Sequence, residues 1–200
     1  MSPARPAAVV VLAAGEGTRM KSSIPKVLHQ VGGRALVHHA VLAARALEPE
    51  HLVVVGHGRD EVIAHLGEVA PGVQTAVQDQ QHGTGHAALC ALEALPPLTG
   101  TVVVTYGDAP LLTADTLHDL LEEHQVHGDA VTVLTAVVPD PTGYGRVIRD
   151  SHRAVTLIVE QKDATEEELA VREINSGVYA FQADALRDGL GRLDTDNAQG

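Results

Sequence analysis

Two hydrophobic periods alternate along the chain. Short apolar runs rich in β-branched residues occur at 8–13, 51–56, 73–78, 101–106, 130–138 and 174–181, and each reads as a strand. Between them, apolar residues spaced three and four apart predict helices over 34–47, 60–67, 84–95, 114–126 and 182–191. Thr113 is placed to cap the fourth helix, with Asp115 in its first turn. Strands and helices in alternation predict an α/β fold, a mainly parallel sheet with helices on both faces. Ligands of such sheets sit beyond the carboxyl ends of the strands. The stretch 139–172 breaks the rhythm. It is rich in proline, glycine and charge, with strand-like pieces at 145–149 and 154–160, and is expected to form a small antiparallel insertion or lid. Glu166, Glu167 and Glu168 within it read as a solvated charge run. No internal repeat or low-complexity segment interrupts the pattern.

The first strand ends at Leu12 and runs into a glycine-rich turn, Ala14 to Thr18, followed by Arg19, Lys21 and Lys26. Glycines at 15 and 17 allow positive φ, so that backbone N–H groups converge on one point. A strand, such a turn and adjacent cations are how α/β proteins hold a phosphate chain. The dinucleotide-binding fingerprint is excluded, because Met20 stands where its third glycine belongs and the first acid after Glu16 is Glu48. No Gly-Lys-Ser/Thr occurs, which excludes the P-loop.

Charge sharpens this picture. The chain has 14 basic and 26 acidic residues and a net charge of −12. Yet no Asp or Glu lies between Gly17 and Leu47, where Arg19, Lys21, Lys26, Arg34 and Arg45 all fall. An acidic protein repels a nucleoside triphosphate unless it carries a local cationic site. Aromatics make up only 2% of the 200 residues, and with the acidic balance this argues against a nucleic-acid partner. The 44% hydrophobic content suits one globular domain. The lone Cys90, in the apolar stretch Ala87 to Leu95, reads as core filler rather than nucleophile, and a reducing compartment is expected. No secretory leader or membrane-length apolar run is seen, so a cytoplasmic protein without a membrane partner is expected. Among the twelve histidines, His118, His124 and His127 fall close together on one helix, but without a His-Glu-x-x-His motif they read as surface histidines rather than zinc ligands.

Further candidate chemistry lies at predicted strand ends. Gln78 offers an amide donor and acceptor suited to a nucleobase edge, and Gly83 and Gly85 allow close backbone approach, with Thr84 as a helix cap. Tyr106-Gly107-Asp108 follows the fourth strand, and a carboxylate there is placed to hold Mg²⁺, which would bridge triphosphate oxygens. Gly143 and Gly145 flank Tyr144 and permit backbone contacts to a sugar, while Glu160 and Asn175 suit sugar hydroxyls and an N-acetyl group.

Gly15-Glu16-Gly17-Thr18-Arg19-Met20 followed by Pro25-Lys26 resembles the signature of the sugar-nucleotide pyrophosphorylases. With Leu12-Ala13-Ala14-Gly15, Gly83-Thr84-Gly85-His86-Ala87, Tyr106-Gly107-Asp108, Gly143-Tyr144-Gly145-Arg146, Glu160 with Lys162-Asp163-Ala164, and Glu173-Ile174-Asn175-Ser176-Gly177, the whole chain resembles the uridyltransferase domain of bacterial N-acetylglucosamine-1-phosphate uridyltransferases. The resemblance implies a Rossmann-like nucleotide-diphospho-sugar transferase fold with a mainly parallel mixed sheet. It implies a Mg²⁺-dependent reaction of UTP with N-acetylglucosamine 1-phosphate, giving UDP-N-acetylglucosamine and pyrophosphate for cell-wall precursor synthesis. By resemblance, Leu12, Ala13, Ala14, Gly15, Gln78, Gly83 and Thr84 hold the uridine; Tyr106 and Gly107 also line the substrate site. Gly145, Glu160 and Asn175 hold the sugar, Asp108 binds Mg²⁺, and Arg19 and Lys26 are catalytic groups on the phosphates. In the family this domain continues past Gln199-Gly200 to a further Mg²⁺ ligand. A trimerising acetyltransferase β-helix domain then follows, so residues 1–200 are expected to be an incomplete uridyltransferase domain. Three readings of the residues stay open beside this one: a thymidylyl- or guanylyltransferase, a non-catalytic sugar-nucleotide sensor, and a scaffold piece with no ligand.

Overall fold

The computed structural model describes residues 5–15, 20–56, 60–80 and 82–192. In chain order its elements are β1 (Ala8–Leu12), a 3-10 turn (Lys26–Leu28), β2 (Gln30–Val31), β3 (Arg34–Ala35), α1 (Leu36–Arg45), β4 (His51–Gly56), α2 (Asp60–Val69), β5 (Gln74–Val77), α3 (Gly83–Glu93), β6 (Thr101–Tyr106), α4 (Ala114–His127), β7 (Val131–Val137), β8 (Arg146–Arg149), β9 (Val155–Val159), α5 (Glu166–Leu169), β10 (Glu173–Gln182) and α6 (Ala183–Leu190). Two units are distinct, a larger one of Met1–Thr132 with Tyr179–Gly200 and a smaller one of Val133–Val178.

The larger unit is a doubly wound α/β sheet. β5, β4, β1 and β6 lie side by side and parallel, and the second half of β10 closes the β6 edge antiparallel. Val9, Val10 and Val11 are fully buried, as are Val53, Val55, Val102 and Val103, which is why these strands read as continuous apolar runs. Successive side chains point to opposite faces. Val10, Leu12, Val53, Val55, Val102 and Val104 meet Ala87, Ala88 and Ala91 of α3 and Leu186 and Leu190 of α6. On β1 and β6 sit α1 and α4, which also pack on each other. The chain moves outward from β1 through β4 to β5, then returns to place β6 on the other side. The strand order therefore reverses at β1, where such sheets open a crevice for ligands.

The smaller unit is antiparallel. β8 pairs with β9 in register Arg146↔Val159 and with the first half of β10 at Ile174↔Arg146. Arg149 grips Glu173 through two hydrogen bonds, Nε to Oε2 at 2.9 Å and Nη2 to Oε1 at 2.7 Å. The guanidinium holds the Glu173 carboxyl below the usual carboxylate range.

Several expectations are corrected. Gln30–Ala35 forms a two-stranded hairpin where the helix was expected to begin at 34; Gly32 and Gly33 take φ of +59° and +80°, the two positive values of a type I′-like turn. α3 begins at Gly83, with His82 as its N-cap and no side-chain cap bond, so Thr84 lies inside the helix and does not cap it. Gly15 does not have positive φ. The charge run at 166–168 is solvated as expected, and it also forms one helical turn closed by a capping box: Thr165 Oγ1 accepts from Glu168 N–H, and the Glu168 carboxylate accepts from Thr165 N–H. Thr113 caps α4 through the Thr116 N–H as expected, and Gly128 ends it in the left-handed conformation.

His124 is not a surface residue. It is fully buried on α4 beside Leu117, Leu120 and Leu121, with Nδ1 2.9 Å from Thr132 Oγ1. Burial pushes its pKa below 6.5, partly opposed by the Asp129 carboxylate. The unfolded chain therefore takes up a proton there before the native state does, and stability falls as pH drops below about 6.5. The melting temperature is expected to decline as pH falls below about 6.5. His124→Leu should flatten that decline, and a decline of equal steepness in this variant would assign it to other groups.

Candidate active site

A cavity of about 330 Å³ opens at the carboxyl ends of the parallel strands. It is lined by Leu12–Gly15 at the end of β1, Lys26 and Val27 from the 3-10 turn, Gln78 after β5, Gly83, Thr84 and Ala87 from the first turns of α3, and Tyr106 and Asp108 at the end of β6. The strand ends are stitched together beneath it. Ala13 N–H donates to Val55 O, Gln78 N–H to Gly56 O and Gly107 N–H to Leu12 O, each at 2.8 Å. A Cβ at Gly107 would stand 3.2 Å from the Ala13 methyl and 3.4 Å from Leu12 O, so glycine lets β6 leave the sheet this close to β1. The volume and the mixture of apolar walls with few polar groups are those of a small-molecule site.

Lys26 and Asp108 form an ion pair at this cavity, with side chains 38% and 27% exposed. A pair that open to water contributes only about 0–1 kcal/mol. Little therefore opposes its exchange for stronger partners, a phosphate oxygen at the ammonium and a cation at the carboxylate. Among the described residues, Asp108 is the only carboxylate on the cavity wall, and no cluster of three or more His, Cys, Asp or Glu is present to hold a metal. One carboxylate completed by phosphate oxygens and water is a donor set that Mg²⁺ accepts.

The sequence reading is met unevenly. Leu12, Ala13, Ala14, Gly15, Lys26, Gln78, Gly83, Thr84, Tyr106 and Asp108 are all brought to this one cavity, and Gly107 adjoins it. Val27 and Ala87 also line it; Val27 follows the quoted Pro25-Lys26 and Ala87 closes the quoted Gly83–Ala87 motif, but neither carries chemistry that would have singled it out. Arg19 lies outside the described residues, as do Gly17, Thr18 and Asn197–Gly200. The cations from 21 to 45 do not form one patch at the cavity. Only Lys26 among them lines it; Arg34 sits in the exposed hairpin, and Arg45 at the end of α1 donates to Pro71 O at 2.5 Å. Gln78 is buried where it lines the cavity, and its Nε2 lies 3.0 Å from Gly83 O.

Gly145, Glu160 and Asn175 lie together in the smaller unit. Asn175 N–H donates to Gly145 O at 2.9 Å, and Asn175 Oδ1 accepts from Gly177 N–H at 2.9 Å. A Cβ on Gly145 would stand 3.1 Å from Glu160 Oε1. The absent side chain is what gives the Glu160 carboxylate its place. Buried Arg146 donates to Tyr144 O, and Gln161 Oε1 accepts from Gly143 N–H, fixing the turn in front of Gly145.

His118, His124 and His127 have separate surroundings: the Ala46 carbonyl, Thr132 and the Glu123 carboxylate. Cys90 packs on the core, and burial first, then Glu93 and Asp79, raises its thiol above 9.0. No helix among the described residues is long and apolar enough to cross a membrane.

The MobA-like NTP transferase domain profile matches residues 9–171. The bifunctional protein GlmU of Streptomyces coelicolor is 62% identical over 203 residues, covering 100% of this chain and 42% of that protein. The protein of the same name from Kineococcus radiotolerans is 64% identical, covering 99% of this chain and 40% of its own length. That from Thermobifida fusca is 58% identical and covered to 42%. The chain thus spans about two fifths of the length of these relatives.

Proposed function

Because the chain belongs to the MobA-like NTP transferase domain family, we propose that it transfers the uridylyl group of UTP to N-acetylglucosamine 1-phosphate, releasing pyrophosphate and UDP-N-acetylglucosamine. The observation that carries this reading is the cavity at the sheet's reversal point, with the backbone of Leu12–Gly15, the first turn of α3, and a cation and a carboxylate side by side. Its likeness to proteins named bifunctional protein GlmU supports the choice of uridylyl over thymidylyl or guanylyl transfer.

The sugar-phosphate oxygen attacks the α-phosphorus in line and pyrophosphate leaves. The nucleophile is already an anion, so no general base is required. The protein's task is to bring anions together and to stabilise charge on the leaving group. Lys26 supplies a compact positive charge to the phosphates, and Arg19 supplies a planar fork for the pyrophosphate oxygens. The wall formed by Gln78, Gly83 and Thr84 holds the uracil, and the strand-end backbone holds the nucleoside. Asp108 would hold Mg²⁺, which lowers the repulsion among triphosphate oxygens. Gly145, Glu160 and Asn175 hold the sugar and its N-acetyl group. Placement of the product in cell-wall precursor synthesis, a cytoplasmic location, and trimerisation through a further acetyltransferase domain belong to the same proposal.

Pyrophosphate release from a panel of UTP, dTTP, CTP and GTP, with and without N-acetylglucosamine 1-phosphate and Mg²⁺, tests the reading. Release only with UTP, the sugar phosphate and metal is expected; equal release with dTTP or GTP would replace uridylyl by another nucleotidyl transfer. The sugar half has its own test. Gly145→Ala pushes its methyl against Glu160 Oε1 and should lower kcat/KM for the sugar phosphate about ten- to a hundredfold. KM for UTP should hold within about twofold, since the change lies among the sugar-binding residues. An unchanged sugar-phosphate KM would remove Glu160 from that role.

A further inference from the structure

The wall of the cavity at Gln78 and Gly83 is held from behind by a polar chain that the transfer chemistry does not use. Gln78 Nε2 lies 3.0 Å from Gly83 O and 3.2 Å from His86 Nδ1. His86 Nδ1 lies 2.9 Å from Gln80 O, which also accepts from His82 N–H at 3.0 Å. His86 Nε2 lies 3.7 Å from Cys90 Sγ, one helical turn away.

Proton placement in this chain is constrained. If Nδ1 were bare, it would face the Gln80 carbonyl lone pair to lone pair at 2.9 Å. If the Gln78 amide were turned over, its oxygen would face Gly83 O at 3.0 Å. With a proton on Nδ1 and the amide nitrogen on Gly83, both short contacts are hydrogen bonds, and the mismatch falls on the longest nitrogen–oxygen or nitrogen–nitrogen contact, 3.2 Å. The other end of the ring agrees. Burial raises the Cys90 thiol above 9.0, and with a bare Nε2 the S–H is the donor of this contact. Each donor then faces an acceptor from Cys90 through His86 to Gln80, and from Gln78 to Gly83.

We propose that His86, held as its Nδ1–H tautomer, is a positioning residue for nucleobase selectivity, fixing through Gln80 the turn that aims Gln78 and Gly83 at the base. This rests on the nucleotide-transfer reading above. A carboxamide distinguishes bases only while its donor and acceptor ends cannot exchange, because turning it over presents the opposite pattern. Selectivity built on such a group is large when its orientation is fixed and is lost when it is free to turn. His86 itself does not line the cavity.

The test uses the full chain and two readouts. Long-range ¹H–¹⁵N NMR of the ligand-free protein should find His86 with its proton on Nδ1, the minor tautomer of free histidine. Competition binding of UTP against CTP then compares three variants. His86→Asn puts an amide N–H near the Nδ1 position and should keep the wild-type preference within about threefold. His86→Gln reaches only toward the Nε2 position and, like His86→Ala, should lose about tenfold, the loss of one orienting hydrogen bond. A resting Nε2–H tautomer, or equal loss in the Asn and Gln variants, overturns the proposal. If the wild type prefers a nucleotide other than UTP but the Asn and Gln variants split as described, His86's role stands and the uridylyl reading falls. A wild type that prefers no nucleotide overturns both.

Discussion

Lys26→Ala is expected to lower kcat by about a hundred- to a thousandfold, the loss found when one preorganised electrostatic group is removed from a transition state. Lys26 lines the cavity and already pairs with an anion there, the Asp108 carboxylate. In the proposed reaction, charge grows on the departing pyrophosphate, and a fixed positive charge stabilises it. The backbone that carries Lys26 is held by the 3-10 turn Lys26–Leu28, whose Val27 is buried, so the side chain stays within reach of the cavity. Folding should be almost unaffected, because the half-exposed pair contributes at most about 1 kcal/mol. Lys26→Arg keeps the charge but replaces a compact ammonium by a planar fork, and should recover part of the rate. Steady-state turnover near the wild-type value in Lys26→Ala would remove this residue from the chemistry.

Asp108→Asn should be nearly as damaging, by a different route. The substitution preserves shape and removes charge. Among the described residues, no other carboxylate lines the cavity to replace it as a metal ligand. Turnover at fixed Mg²⁺ should fall about a hundredfold, and the Mg²⁺ concentration giving half-maximal rate should rise. The melting temperature of the metal-free variant should stay within a few degrees of wild type, as expected for loss of a surface-type ion pair. A Mg²⁺ titration curve superimposable on that of the wild type would contradict the assignment.

The residues behind these predictions were legible because the cavity lies at strand ends, which sequence marks well. β1, β4 and β6 have buried centres on both faces, so each appears as a run of valines, and the chain that follows β1 and β6 lines the cavity. Asp108 was legible for that reason; Leu12 is the last residue of the β1 run itself, and Gln78 follows the partly exposed β5. The helix lengths were legible from periodicity, and the cap at Thr113 from its own side chain. What sequence left hidden had other causes. The hairpin at Gln30–Ala35 carries a Gly-Gly signal, but its strands are two residues long, too short for alternation to register. His124 occupies the next position of the stripe Leu117, Leu120 and Leu121, so its burial was readable, but residue type outweighed spacing. Arg34 and Arg45 looked like partners of Lys26 because they are near in sequence; α1 and the hairpin carry them elsewhere. The chain from Cys90 through His86 to Gln80 depends on distances between groups on a helix and a turn, and no pattern of residue types encodes these.

A crystal structure with bound uridine nucleotide and Mg²⁺ tests the central claim most directly. The account requires uracil against Gln78, Gly83 and Thr84, and Lys26 Nζ turned from Asp108 to a phosphate oxygen. A nucleotide bound elsewhere, with the Lys26–Asp108 pair intact and the cavity empty, would contradict it.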